Sequence, residues 1–121
     1  MNMMTAVQDF GESEEPLDLN ELCIQHPSAT YFVRASGSSM IDAGIHCEDI
    51  LVVDRSIVAR NDDIVVVSLD LSFTVRKLQL TPQLRLLPMN QSDQDVTPTN
   101  IDDDTAFNIF GVVTFVIHAI R

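Results

Sequence analysis

The chain has 121 residues, 45% of them hydrophobic, with a formal charge of −11 from 18 acids against 7 basic residues. That is apolar material for one packed core. The acidic excess repels a phosphate backbone, so no direct nucleic-acid binding is expected and a protein partner fits better. Residues 1–16 hold Asp9, Glu12, Glu14 and Glu15 with little apolar periodicity, the composition of a flexible acidic arm. The body is expected over residues 17–121.

It opens with LDLNELCIQHPS, where Leu19, Leu22 and Cys23 fall at helical spacing, Asp18 or Asn20 can cap, and Pro27 stops the helix. From Thr30 the pattern becomes that of strands: TYFVRAS, DILVVDRS, DIVVVSL, SFTVRKLQL, QLRLLPM and FNIFGVVTFVIHAI, rich in β-branched and aromatic residues. Six short strands and one short helix predict a mainly β, mostly antiparallel fold. SLDLSF reads as a hairpin with Asp70 near its tip, although it lacks an Asn-Gly or Asp-Gly turn. Residues 90–105, with Asp93, Asp95, Pro98 and Asp102 to Asp104, read as a solvated loop. The stretch Ile109 to Ile117 is broken by Gly111 and Thr114 and is far below the ~18 to 20 residues that span a bilayer. Cys23 and Cys47, in a chain opening Met-Asn-Met-Met without a charged and apolar leader, suggest reduced thiols and a cytoplasmic location.

Residues LNELCIQHPSATYFVRASGSSMIDAGIHCEDILVVDRSIVA, then FTVRKLQL, RLLPMN and FNIFGVV, closely resemble the UmuD/LexA family of S24 serine peptidases, over roughly residues 17–121. The resemblance implies a β-rich fold, homodimers, and association with a Y-family polymerase catalytic subunit and RecA filaments in the SOS response to DNA damage. It also implies a serine within Ser-Gly-x-Ser-Met that cuts the protein's own N-terminal arm, with a lysine on a later strand as base. Ser36-Gly37-Ser38-Ser39-Met40 supplies that motif, so Ser39 takes the nucleophile's position.

Two departures from the family pattern stand out. No Cys-Gly or Ala-Gly scissile dipeptide precedes Ser39, and the chain starts almost where a cleaved product would start. The lysine expected after Thr-Val in the FTVKKL-type strand is replaced by Arg76, followed by Lys77. A Ser-Lys dyad needs a lysine whose pKa burial depresses until its neutral amine accepts the hydroxyl proton. Arginine, with a pKa above about 12, stays charged and has no acceptor. Lys77 points to the opposite side of a regular strand and could substitute only through a bulge.

Each feature also has a plainer reading. Ser39 could be the N-cap of a turn closed by Asp42 and Gly44. Lys77 could be a solvent-facing strand residue, and Arg76 could pair with a carboxylate or occupy the old active-site cleft. Cys23, His26, His46 and Cys47 could be imagined as a zinc set, but adjacent ligands are awkward, so no metal or cofactor is expected. His118 reads as a half-buried surface residue, and Asp102 to Asp104 as solvated charge without the spacing of a calcium loop. Phe110, Val112 and Val116 on one side and Ile109, Val113, Phe115 and Ile117 on the other make the last strand apolar on both faces, as in a core strand or a dimer interface.

The expected function is a non-catalytic homodimeric subunit of an error-prone translesion polymerase. The alternatives are a residual peptidase using Ser39 with Lys77, and a decoy that forms mixed dimers with uncleaved relatives.

Overall fold

A computed structural model describes residues 3–4, 12–13 and 17–121. Two short strands, β1 (Met3–Met4) and β2 (Glu12–Ser13), pair antiparallel with each other. The rest of the expected flexible arm lies outside the described residues. Helix α1 (Leu19–Cys23) is a single turn and a half, started by the Asp18 carboxylate, which accepts the Asn20 N–H at 2.9 Å. It ends before Pro27, which begins a 3₁₀ turn at Pro27–Ala29.

The main sheet contains β3 (Thr30–Arg34), β4 (Ile50–Asp54), β5 (Ile64–Leu69), β6 (Ser72–Gln79), β7 (Arg85–Leu87), β8 (Thr99–Asn100) and β9 (Phe107–Ile117). Its order is β3-β4-β9-β5-β6-β7-β8, and every neighbouring pair is antiparallel. All six predicted strands are present. The last stops at Ile117 rather than reaching Ile120, and the loop of residues 90–105 carries the additional two-residue β8.

β9 lies between β4 and β5, so both of its edges are hydrogen-bonded, and its two sides contribute to two hydrophobic clusters. One gathers Ala35, Met40, Ile45, Leu51, Val53 and Val66; the other gathers Val65, Val67, Leu78, Leu86 and Val112. The simple alternation expected along β9 does not hold. Phe110 joins Val113 on the first cluster, and Val112 joins Ile109 on the second. Bulges are the cause. The pairing passes from Val67↔Ile109 to Val66↔Gly111, and from Val52↔Phe115 to Val53↔Val113, so Phe110 and Thr114 are extra residues that reset the parity.

Gly111 occupies the tightest point of this arrangement. A Cβ there would meet Val53 Cγ1 at 2.7 Å and the Asp54 carbonyl at 3.1 Å. The sheet's other local solution is the β5–β6 hairpin, whose Asp70 and Leu71 both take positive φ (50° and 71°), the twist that a two-residue connection needs.

Candidate active site

Chain leaving β3 turns at once. Gly37 takes φ 77°, in the left-handed region, and Met40 plunges into the first cluster beneath the turn. A 3₁₀ turn follows at Ile41–Ala43, closed by Gly44 at φ 83°. The expected capping role of Ser39 is not observed: Met40 is the N-cap and no side chain caps the turn. Ser39 is held by its backbone instead. Met89 N–H donates to the Ser39 carbonyl at 2.8 Å, Asp42 N–H donates to the Met89 carbonyl at 2.7 Å, and Asn90 Nδ2 donates to the Ser38 carbonyl at 2.8 Å. The Asp42 carboxylate in turn accepts the Gln91 N–H at 2.7 Å. Residues 89–91, just past β7, thus clamp the serine turn from outside. Sequence reading did not assign them this role, although RLLPMN is among the segments that carry the resemblance.

The Ser39 side chain is thereby free to point at β6. Arg76 Nη1 donates to Ser39 Oγ at 2.8 Å and to the carbonyl of Val75 at 2.7 Å. The guanidinium is half-buried, and desolvation lowers its pKa from the ordinary arginine value. Among the described residues no carboxylate lies within ion-pair distance of it, so of the two alternatives the sequence offered, a carboxylate partner or the cleft, Arg76 takes the cleft. That cleft, about 150 Å³, is lined by Val33, Ala35, Gly37, Ser39, Val66 and Arg76 among others.

Lys77 takes a different course. Its Nζ lies 3.6 Å from Asp62 Oδ1, and it lines a separate depression with Asp42, Leu87 and Met89. The register from Ile64↔Lys77 through Val65↔Arg76 to Leu69↔Ser72 runs without a bulge. The device that could have turned Lys77 toward the serine is therefore missing from this pair of strands.

The chemistry of the Ser39–Arg76 contact follows from its polarity. The guanidinium is the donor and the hydroxyl oxygen the acceptor, so Arg76 occupies a lone pair of the hydroxyl and does not draw off its proton. An alkoxide formed at Oγ would be stabilised by that positive charge, but Arg76 offers no atom to receive the proton.

The histidines and cysteines are arranged otherwise than the imagined zinc set. His26 Nδ1 lies 2.5 Å from Asp54 Oδ2, while the other oxygen of Asp54 accepts from the Ser56 hydroxyl at 2.6 Å and the Ser56 N–H at 2.8 Å. The Ser56 and His26 hydrogen bonds hold the buried Asp54 carboxyl below the ordinary range, against the desolvation that would raise it. His46 and His118 meet at Asp49 instead, and Cys23 and Cys47 take no part. Burial works to raise the Asp49 pKa, but the His46 N–H bond, the His118 bond and both imidazoles outweigh it and hold the carboxyl low. Asp102 makes only local bonds to Asp104 N–H and Thr105.

The Peptidase S24-like family profile matches residues 3–114, which include the serine turn, β6 with Arg76 and the sheet as far as the middle of β9. The chain belongs to the Peptidase S24-like family. It is similar to Protein SamA of Salmonella typhimurium strain LT2, with 45% identity over 90% of this chain and 74% of that protein. It is also similar to Protein MucA of Escherichia coli, 49% identical over 86% of this chain and 70% of the relative, and to Protein ImpA of Salmonella typhimurium, 47% identical over 93% and 74%. These S24 matches bear out the UmuD/LexA resemblance and its mainly β fold. Among the described residues no helix is long and apolar enough to cross a membrane.

Proposed function

We propose that this S24 chain is a UmuD-type protein of SOS mutagenesis that works by binding rather than by cutting. It acts as a homodimeric cytoplasmic subunit that joins a Y-family polymerase catalytic subunit and a RecA filament during synthesis past damaged bases. The observation that carries this reading is the 2.8 Å bond from Arg76 to Ser39 Oγ, a permanent cation where a Ser-Lys dyad needs a neutral amine. The straight register that sends Lys77 to Asp62 supports it further.

A binding role also suits the surface. Leu19, Phe32, Val116 and Ile117 are exposed large apolar residues, and they line one groove between α1, β3 and the end of β9 with a volume of about 560 Å³. An apolar surface of this kind favours a protein partner, and a second copy of the chain is the occupant proposed for it. The net charge of −11 works against direct contact with DNA.

The test is affinity capture of a cognate Y-family polymerase subunit by the purified protein, with and without RecA filaments on single-stranded DNA. Saturable association is expected. Failure to associate under every nucleotide and filament condition would overturn the binding role, and cleavage of an arm-bearing S24 relative by the unaltered chain would overturn the non-catalytic part.

A further inference from the structure

Antiparallel pairing of Ile50 with Ile117 places the residue before β4 beside the residue after β9, which are Asp49 and His118. Their side chains meet, with His118 Nδ1 2.5 Å from Asp49 Oδ1. A third group arrives from the turn of residues 46–49. His46 N–H donates to Asp49 Oδ2 at 2.8 Å and Asp49 N–H donates to the His46 carbonyl at 3.1 Å, a reciprocal clasp that fixes His46 against the carboxylate. Its ring lies 4.7 Å from that of His118, centroid to centroid, and its Nδ1 is 3.7 Å from Asp49 Oδ2, too long for a hydrogen bond.

One ligand atom from each of the three residues falls within 4.8 Å of the others. We propose that His46, Asp49 and His118 form a binding site for a borderline divalent cation of the Zn²⁺, Co²⁺ or Ni²⁺ class.

Two imidazoles and a carboxylate are a donor set suited to such ions, and three protein ligands leave a position open to water or to a partner's side chain. Metal–ligand bonds of about 2.0 to 2.2 Å in a tetrahedral site put ligand atoms roughly 3.3 to 3.6 Å apart. The present contacts, 2.5 Å from His118 to Asp49 Oδ1 and 3.7 Å from His46 to Asp49 Oδ2, lie on either side of that spacing, so His118 must open by about 1 Å and His46 needs little movement. Rotation of two half-exposed rings does this, while Asp49, only 2% exposed, stays fixed in its backbone clasp. An Asp–His hydrogen bond accounts for His118 but leaves His46 Nδ1 only a long 3.7 Å ion-pair contact with Asp49, whereas a cation held by the two ring nitrogens engages both. The ion would tie the segment after β9 to the loop following the serine turn, since Ile45, next to His46, lines the Ser39 cleft.

The test uses the full chain and Zn²⁺ alone, titrated calorimetrically, with the visible spectrum of the Co²⁺ form as a second readout. One equivalent per chain is expected, with a Co²⁺ spectrum free of thiolate charge transfer and a rise in thermal midpoint on Zn²⁺ addition. His46→Asn and His118→Asn, both at half-exposed positions, should each remain folded by circular dichroism. Each should weaken binding at least about a hundredfold, because even groups that only support a ligand contribute about 10- to 100-fold. Cys23→Ser with Cys47→Ser should bind as the parent does. No saturable binding, binding that survives both histidine changes, or binding lost with the cysteines would each overturn the assignment.

Discussion

Arg76 Nη1 donates to Ser39 Oγ across 2.8 Å, so the arginine touches the serine hydroxyl without being able to deprotonate it. Arg76→Lys should therefore create a Ser-Lys dyad in a site otherwise intact. The introduced amine would enter a half-buried cleft that favours its neutral form. We expect cleavage in trans of an S24 relative that retains its arm, rising with pH as the amine deprotonates, and abolished when Ser39→Ala is added. The unaltered chain and Arg76→Ala should both leave the substrate whole on a gel. Inertness of folded Arg76→Lys at every pH would mean that more than the base has been lost.

Asp54 offers a pH-dependent prediction. Bonds from Ser56 and His26 hold its folded-state pKa below the ordinary carboxylate value of about 3.9. A depressed folded pKa contributes stability that is fully present above the unfolded value and is lost as pH falls through the folded one. Asp54→Asn should thus lower the thermal midpoint at neutral pH, and the gap from the parent should narrow below about pH 4 as both states of the parent's carboxyl protonate. A gap that stayed constant from neutral to acid pH would show that the charge contributes nothing.

The strands, the helix capped by Asp18 and the hairpin at Asp70 were legible because local pattern determines them. The order of the sheet was not, since β9 must cross from the end of the chain to lie between β4 and β5. β8 escaped notice because two residues, Thr99 and Asn100, are too few to show a pattern inside an acidic loop, and their pairing with Leu86 and Arg85 is a tertiary event. The Ser39 and Arg76 positions could be found through a long resemblance, whereas the meeting of His118 with Asp49, 69 residues away, depends on the β4–β9 register. Parity along β9 misled for a related reason, as a bulge leaves no dependable mark in the composition of a strand.

Self-association should depend on the apolar groove. Phe32 is 59% exposed on the edge strand β3, and Ile117 is 49% exposed at the end of β9, so neither is needed to fill the core. Phe32→Asp or Ile117→Asp should leave circular dichroism unchanged and shift the protein toward monomer in sedimentation. An unaltered dimer in both variants would place the interface elsewhere.

Leu71 is the tip residue where folding tolerates a poor choice. It is 96% exposed and sits at φ 71°, a conformation costing an L-residue roughly 1 to 2 kcal/mol that glycine escapes. Leu71→Gly converts the tip to Asp-Gly, the pair suited to a turn with two left-handed residues. After the extra chain entropy of glycine is subtracted, a gain of about 1 kcal/mol in urea unfolding is expected. A loss instead would mean that the exposed leucine stabilises the fold by a contact beyond the turn.

Gly111 presents the opposite case, where backbone freedom is not the issue and space is. It lies in β9 between two partners, opposite Val66 of β5, one position from Val112, which faces Asp54 of β4. The bulge at Phe110 leaves that residue's carbonyl to Arg55, whose Nε donates to it at 2.9 Å while the guanidinium lies 4.4 Å from the Phe110 ring centre. Arg55 Cγ is therefore pinned, and it stands 3.3 Å from where a Cβ on residue 111 would be, with Val53 Cγ1 nearer still. A fully buried valine cannot retreat without disturbing Leu51 and Met40 in the same cluster. Gly111→Ala should cost about 1 to 3 kcal/mol by overpacking. Adding Val53→Ala should recover part of that loss by vacating the colliding methyl, although Val53→Ala alone destabilises by leaving a cavity. Denaturant unfolding of the two single variants and the double reads this directly: a positive coupling between sites 53 and 111 is expected, and simple additivity would show that the strands separate to accept the methyl group.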